Sequence, residues 1–276
     1  MKCGTLAVAV LGFLLTVAHA QSWLEVKAPH YSIFYKAGYE KDAEFARQWM
    51  DRAEQLMKSK YNVTPEHYRA SLYLYSDPVP TANIGTAQNR CCPVENGLRQ
   101  ATIDMLAPSA PAWKEKEYKS SLGMSKSEES YHAKILMSEY IPIGHYAIQD
   151  SRPDGGWRYY SAPGWFVQGL QEYDAIFHTT DTNRDVTSKN LLEWAKRNSD
   201  GFTCCSPGLA IKDVYNGGAT FMTFLAVEFG EDIHARLLRS EASSFQTALT
   251  NETKPYTPDQ LYQRFQAWLS KSADRS

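Results

Sequence analysis

The chain has no large excess of charge of either sign, and after its first twenty residues it has no long hydrophobic run. Its 29 lysines and arginines nearly balance its 31 aspartates and glutamates, which gives a formal net charge of -2. Nucleic acid is therefore not expected as a partner, because such binding relies on an excess of basic residues. Beyond the first twenty residues no run of about twenty apolar residues occurs, so no membrane span is expected either.

Several common catalytic fingerprints are also missing. The sequence contains no Gly-x-Ser-x-Gly elbow, no phosphate-binding loop and no dinucleotide-binding glycine motif. Ser138 beside Glu139, with His145 nearby, leaves a serine hydrolase open, although a serine within a helix has no evident oxyanion hole. Glu139 and Glu172 leave a carboxylate pair for sugar hydrolysis open, a reaction that needs a separation of about 5–10 Å.

The first twenty residues have the pattern of a secretory signal peptide. Lys2 provides the positive start, Leu6 to Val17 the apolar run, and Ala18-His19-Ala20 a small-x-small cleavage site. We therefore expect residues 1–20 to be removed and residues 21–276 to be secreted as one domain, with a membrane anchor as the alternative. A length of 276 residues and a hydrophobic content of 43% are sufficient for a proper core.

Cysteine is scarce, with five residues in all. Cys3 belongs to the signal peptide, and the other four form two adjacent pairs, Cys91-Cys92 and Cys204-Cys205. An even number of cysteines in an exported chain predicts disulfides. We expect two bridges between the pairs, because bonding neighbours would require strained rings. Zinc binding by the four thiols is the alternative, although adjacent cysteines lack the C-x-x-C spacing.

Two Asn-x-Thr triplets, which begin at Asn62 and Asn251, are candidate N-glycosylation sites in a eukaryotic host. Use of either site requires the asparagine to lie on the surface.

Hydrophobic periodicity predicts an α+β fold. Alternating patterns predict strands at Trp23–Lys27, Tyr31–Tyr35 and Ala70–Tyr75. Helical spacing predicts helices at 40–60, 128–149, 164–178, 187–197, 214–229, 231–239 and 257–269. Residues 80–128 have no clear pattern, and we expect the charged run from Lys114 to Glu129 to be a surface excursion.

Two segments carry a recognisable motif pair. Residues 138–142 read Ser-Glu-Tyr-Ile-Pro, and residues 163–173 read Pro-Gly-Trp-Phe-Val-Gln-Gly-Leu-Gln-Glu-Tyr. Together they resemble the gluzincin, or peptidase-MA-like, metallopeptidases, in which a helix with H-E-x-x-H precedes a helix that opens P-x-W-F-x-E-G-x-A-E-Y. The resemblance implies a small sheet packed on a mainly helical body.

The resemblance implies that the zinc ligands have been replaced. Ser138 and Pro142 occupy the two histidine positions, Gln168 occupies the third-ligand position, and only the general base, Glu139, remains. Serine and an amide are poor zinc ligands, and the proline side chain has no atom that could bind zinc. We therefore expect no zinc and no other cofactor. Pro142 also predicts that the helix ends or kinks near Tyr140 or Ile141.

A rearranged metal site is an alternative. His132, Glu139 and His145 recur about two helical turns apart, and Glu172 follows on the next predicted helix. In the simpler interpretation, the histidines are packing or helix-end residues and Glu172 is a structural carboxylate.

Aromatic residues surround the motif pair. Trp157, Tyr159, Tyr160 and Trp165 either line a substrate groove or pack over the helices. Tyr215 corresponds to a tyrosine that stabilises the oxyanion in some gluzincins, and packing at a helix start is its alternative role. With His145, Gln168 and Glu172, the four aromatic residues are the predicted binding residues, whereas Glu139 and Tyr215 are the predicted catalytic residues.

These features predict a secreted, disulfide-linked relative of the peptidases that binds a peptide, a glycan or a small molecule in the former active-site cleft. An extracellular enzyme with metal-free or rearranged-metal acid–base chemistry is the second interpretation. A structural extracellular component, whose cleft has no function, is the third.

Overall fold

A computed structural model describes residues 22–64, 66, 68–77, 87–91, 93–95, 98–111, 129–150, 156–179, 184–204 and 209–271. The predicted signal peptide, residues 114–128, Cys92 and Cys205 lie outside these ranges.

The described chain is a mixed α+β structure with one main sheet. The strands of this sheet are β1 (Leu24–Lys27), β2 (Tyr31–Tyr35), β3 (Tyr68–Tyr75), β4 (Ala87–Arg90), β5 (Val94–Glu95) and β6 (Leu98–Leu106). They are ordered β1-β2-β3-β6-β4, and β5 also pairs with β6. The β2–β3 and β3–β6 pairs are parallel, whereas the β1–β2 and β4–β6 pairs are antiparallel.

Eight helices are described. They are α1 (Glu40–Tyr61), α2 (Glu129–Asp150), α3 (Gly164–Thr179), α4 (Arg184–Arg197), α5 (Asn216–Phe229), α6 (Ile233–Arg239), α7 (Phe245–Glu252) and α8 (Pro258–Lys271). A short second sheet pairs β7 (Phe202–Thr203) with β8 (Ala210–Ile211). None of the helices in the described ranges has both the length and the apolar character needed to span a membrane.

Helix α1 connects the parallel strands β2 and β3, as a parallel pair requires. One face of α1 is buried and includes Trp49, Met50 and Met57. The helix ends at Asn62, whose φ of 48° is a left-handed conformation that asparagine tolerates better than most residues. Asn62 is exposed, as is Asn251 on α7, so both predicted glycosylation sites lie on the surface.

Helices α3 and α5 cross at a glycine contact. A Cβ atom added to Gly169 would lie 2.4 Å from the backbone carbon of Gly218, and one added to Gly218 would lie 2.3 Å from the carbonyl oxygen of Trp165. The close approach therefore requires glycine on both helices. It holds α3 against α5 and fixes the position of one wall of the site described below.

Helix α2 does not end at Pro142. The helix continues to Asp150 with Pro142 buried in its interior, so it has no end near Tyr140 or Ile141, whereas the predicted range of 128–149 is confirmed and a kink at Pro142 stays a prediction. Burial of most residues around the proline favours the helix over the local preference of proline. The Asn89 side chain on β4 donates a hydrogen bond to the carbonyl oxygen of Glu139, one of the carbonyls beside the proline.

Candidate functional site

A cavity of about 610 Å³ lies between α2, α3 and β4. Tyr215, just before α5, completes its lining. The residues that line it are Ala87, Gln88, Asn89, Cys91, Tyr131, Lys134, Ile135, Ser138, Glu139, Pro142, Tyr146, Val167, Gln168, Gln171, Glu172 and Tyr215. Its size is that of a typical ligand site.

All four motif positions line this cavity. Ser138, Glu139 and Pro142 follow one another along α2, where residues four apart lie on the same face, and Gln168 faces them from α3. The Ser138 hydroxyl donates to the carbonyl oxygen of Ile135 at 2.8 Å, within its own helix. The two motif segments, about 25 residues apart in sequence, therefore meet at one site.

Glu139 is the residue with the most perturbed acidity in the cavity. Burial raises the pKa of its carboxyl from 4.5 to about 7. The negative charge of Glu172 acts in the same direction, whereas a hydrogen bond from the Asn89 backbone and the charge of Lys134 oppose the increase. Near neutral pH both the protonated and the ionised form of Glu139 are therefore populated, as general acid–base chemistry requires.

Glu172 and Lys134 form an ion pair across the cavity wall. The Lys134 ammonium on α2 lies 2.5 Å from the Glu172 carboxylate on α3, and Glu172 is almost fully buried. The pair neutralises Glu172 and links the two helices that carry the motif.

Tyr215 is half exposed at the start of α5. The Asp213 side chain accepts hydrogen bonds from the backbone N–H groups of Tyr215 and Asn216, at 3.0 and 2.9 Å, and so caps this helix. Burial raises the pKa of the Tyr215 phenol, and the charges of Glu172 and Glu139 raise it further. The phenol therefore stays protonated and able to donate a hydrogen bond into the cavity.

His145 does not line the cavity. It is fully buried behind α2, where its Nε2 lies 3.3 Å from Asp174 and its Nδ1 lies 3.1 Å from the Tyr159 hydroxyl. Burial lowers the pKa of His145 and so favours the neutral ring, whereas the charge and hydrogen bond of Asp174 act in the opposite direction. The Asp174 carboxylate also accepts hydrogen bonds from Lys60 and Tyr61, at 2.7 and 2.6 Å.

The other histidine of the rearranged metal site, His132, is also buried and does not line the cavity. Within the described ranges, no three His, Cys, Asp or Glu residues lie close enough together to hold a metal ion.

The aromatic residues predicted around the site have separate locations. Trp157, Tyr159 and Trp165 are buried, and Trp157 and Trp165 both contact Phe245 edge-on. Tyr160 is 74% exposed. None of the four lines the cavity. Its aromatic lining comes instead from Tyr131 and Tyr146 on α2 and from Tyr215, of which the sequence analysis identified only Tyr215.

The amide-rich side of the cavity was not predicted from the sequence. Gln88 and Asn89 on β4 and Gln171 on α3 add three amides to that of Gln168. Gln171 lies within the recognised motif, so its place on the face of Gln168 could have been inferred from helical spacing. The strand with Gln88 and Asn89 lacks an alternating pattern and gave no such signal.

The described cysteines, Cys91 and Cys204, are both disulfide-bonded. Because Cys92 and Cys205 lie outside the described ranges, the pairing between the two loops stays a prediction. Cys91 lines the cavity, so this disulfide lies at its border.

Neither the models of known protein families nor the curated protein sequences give a match to this chain.

Proposed function

We propose that the chain is a secreted, peptidase-MA-like protein that has lost its zinc ligands and binds a peptide in the former active-site cleft without cleaving it. The observation that carries this proposal is the cavity shared by Ser138, Glu139, Pro142 and Gln168. These residues occupy the positions that the resemblance gives to the zinc ligands and the general base. Glu139 keeps the position of the general base, whereas Ser138, Pro142 and Gln168 do not provide a set of ligands that holds zinc.

A peptide fits the chemistry of the cavity wall. Four residues with amide side chains line the space, and a peptide backbone offers both the donors and the acceptors that amides bind. Gln88 Oε1 and Asn89 Oδ1 are buried and accept no hydrogen bond from the described residues. A backbone N–H of a ligand would satisfy such an acceptor, whose burial alone is unfavourable.

Strand β4 supports an extended ligand. Within the described ranges β4 pairs with β6 alone, at one end of the sheet, and three of its residues line the cavity. Strands at a sheet edge bind extended peptides by adding them as a further strand. A peptide beside β4 would place its side chains alternately toward and away from Glu139.

Acid–base catalysis is the second candidate function. The raised pKa of Glu139, about 7, and the nearby phenol of Tyr215 provide a proton acceptor and a hydrogen-bond donor in the same cavity. This arrangement is compatible with hydrolysis that uses no metal.

Retention of peptides from a random pool tests the proposal. The secreted protein is immobilised and exposed to a pool of random heptapeptides, and the retained peptides are identified by mass spectrometry. Gln168→Trp places an indole ring in the cavity and narrows it, and Gln263→Trp makes the same change at an exposed position of α8. We expect the wild type and Gln263→Trp to retain peptides, and Gln168→Trp to lose at least about nine-tenths of them.

Equal retention by all three proteins, or retention by none, would contradict peptide binding in this cavity. Cleaved peptides that form with the wild type and not with Glu139→Gln would instead favour the acid–base enzyme.

A further inference from the structure

The charged groups that line the cavity do not cancel. Among the described lining residues, the charged side chains are Lys134, Glu139 and Glu172. Lys134 is already paired with Glu172 at 2.5 Å. When Glu139 is ionised, the cavity therefore has one negative charge in excess.

Three further charged groups of the described chain lie near the cavity and are engaged elsewhere. Arg90 on β4 pairs with the buried Asp104 at 2.7 Å, and Arg99 on β6 pairs with Asp150 at the end of α2. Asp213, in front of α5, caps that helix and adds negative charge on the side of Tyr215. None of these groups supplies a positive charge to Glu139.

The excess charge lies on a partly buried carboxyl. Glu139 lies among α2, β4 and α3, and at its carboxyl the effect of the negative charge of Glu172 exceeds that of the positive charge of Lys134. A positive group that entered the cavity would interact with both carboxylates at low effective dielectric, where such attraction is stronger than in water.

We propose that the bound peptide carries a positive charge, an ammonium or a guanidinium group, which lies between the carboxylates of Glu139 and Glu172 beside the Tyr215 phenol. This inference rests on the proposed binding of peptides. The positive group is either the free N-terminus of the peptide or the side chain of a lysine or arginine. Both sources have the same charge, but acetylation of the N-terminus removes only the charge of the N-terminus.

Ionisation of Glu139 links this binding to pH. The cation favours the carboxylate form, so the affinity for a lysine or arginine side chain rises as pH increases toward the pKa of about 7 and levels off above it. For one ionisation at about pH 7, binding of such a side chain at about pH 5.5 is expected to be about thirtyfold weaker than at about pH 8. The affinity for a free N-terminus falls again above about pH 8, where its ammonium loses a proton. At pH 7, binding is expected to release about half a proton per peptide.

Three heptapeptide pools test the proposal and separate the sources of the charge. The first pool is N-acetylated and contains lysine and arginine, the second has free N-termini and lacks both residues, and the third is N-acetylated and lacks both. Retention is measured at about pH 5.5 and about pH 8 for the wild type, Glu139→Gln and Glu129→Gln. Glu129 is exposed on the same helix, outside the cavity, and serves as the matched control.

We expect the first or the second pool to be retained at pH 8 at least about tenfold better than the third. The difference should disappear in Glu139→Gln, remain in Glu129→Gln and shrink at pH 5.5. Equal retention of the three pools, or a preference that Glu139→Gln leaves intact, would overturn the requirement for a positive charge and leave peptide binding standing. Retention of none of the pools would overturn both proposals.

Discussion

Replacement of Glu139 by glutamine is expected to stabilise the protein at high pH and not at low pH. The folded pKa of about 7 lies above the unfolded value of about 4.5, so the folded state holds a proton that the unfolded state releases between these values. Stability is therefore greatest below about pH 4.5 and falls as pH rises through about 7. At about 1.4 kcal/mol per pKa unit, the loss amounts to about 3 kcal/mol. Glutamine mimics the neutral carboxyl and does not ionise.

Urea unfolding at about pH 5 and about pH 8.5 measures this difference for the wild type, Glu139→Gln and the control Glu129→Gln. The free energy of unfolding of Glu139→Gln minus that of the wild type should be larger by about 2–3 kcal/mol at the higher pH than at the lower pH, which means a relatively more stable variant. Glu129→Gln should show no such change. An identical difference at both pH values would refute the reasoning, because it would mean that the carboxyl of Glu139 titrates alike in the folded and unfolded chains.

Three further substitutions test the fold around the site by urea unfolding. Gly169→Ala should destabilise the protein by at least about 2 kcal/mol, because its Cβ meets the backbone of α5. The control Gly201→Ala, whose Cβ has an ordinary contact at 3.7 Å, should cost less than about 1 kcal/mol. Equal costs of the two substitutions would contradict the close crossing of α3 and α5. Lys60→Met should cost about 3–5 kcal/mol by leaving the Asp174 carboxylate buried without its lysine, and adding Asp174→Asn should recover part of that loss; no recovery would argue against the ion pair. Pro142→Ala should stabilise the chain by about 1 kcal/mol or more, since the proline lies inside α2, and destabilisation would show that the ring itself is required.

Much of the fold follows from local patterns in the sequence. The ends of the long helices α1, α2 and α3 were all predicted to within about one residue, and α8 begins at Pro258, next to the predicted start at residue 257. The Thr257 hydroxyl accepts a hydrogen bond from the Gln260 backbone N–H at 3.3 Å, as an N-cap should. Periodicity and caps act within a few residues, so they can be recognised without knowledge of the tertiary structure.

The elements that were missed depend on distant partners. Strand β6 has buried residues on both faces, including Asp104, and lies inside the sheet between β3 and β4. It therefore has no alternating pattern, and nothing in the segment itself indicates a strand. Helix α7 is only eight residues long, although Ser244 caps it by accepting from the Thr247 backbone N–H at 3.1 Å.

The candidate site was predicted in part for the same reason. The motif residues on α2 and α3 could be placed together from the resemblance, and they line one cavity. His145 follows Glu139 by six residues, which on a helix turns its side chain away from that face and toward Asp174. The Lys134–Glu172 pair joins two helices, so the sequence alone could not reveal that Lys134 pairs with Glu172.

The zinc content of a variant with restored ligands tests whether this cavity is a peptidase-like zinc site that has lost its ligands. In the variant Ser138→His, Pro142→His and Gln168→Glu, two imidazoles on α2 and a carboxylate on α3 would face the same cavity. Elemental analysis of the purified proteins should find about one zinc per chain in this variant and none in the wild type. A folded variant without zinc would contradict the peptidase-like geometry, and about one zinc in the wild type would contradict the loss of the metal site.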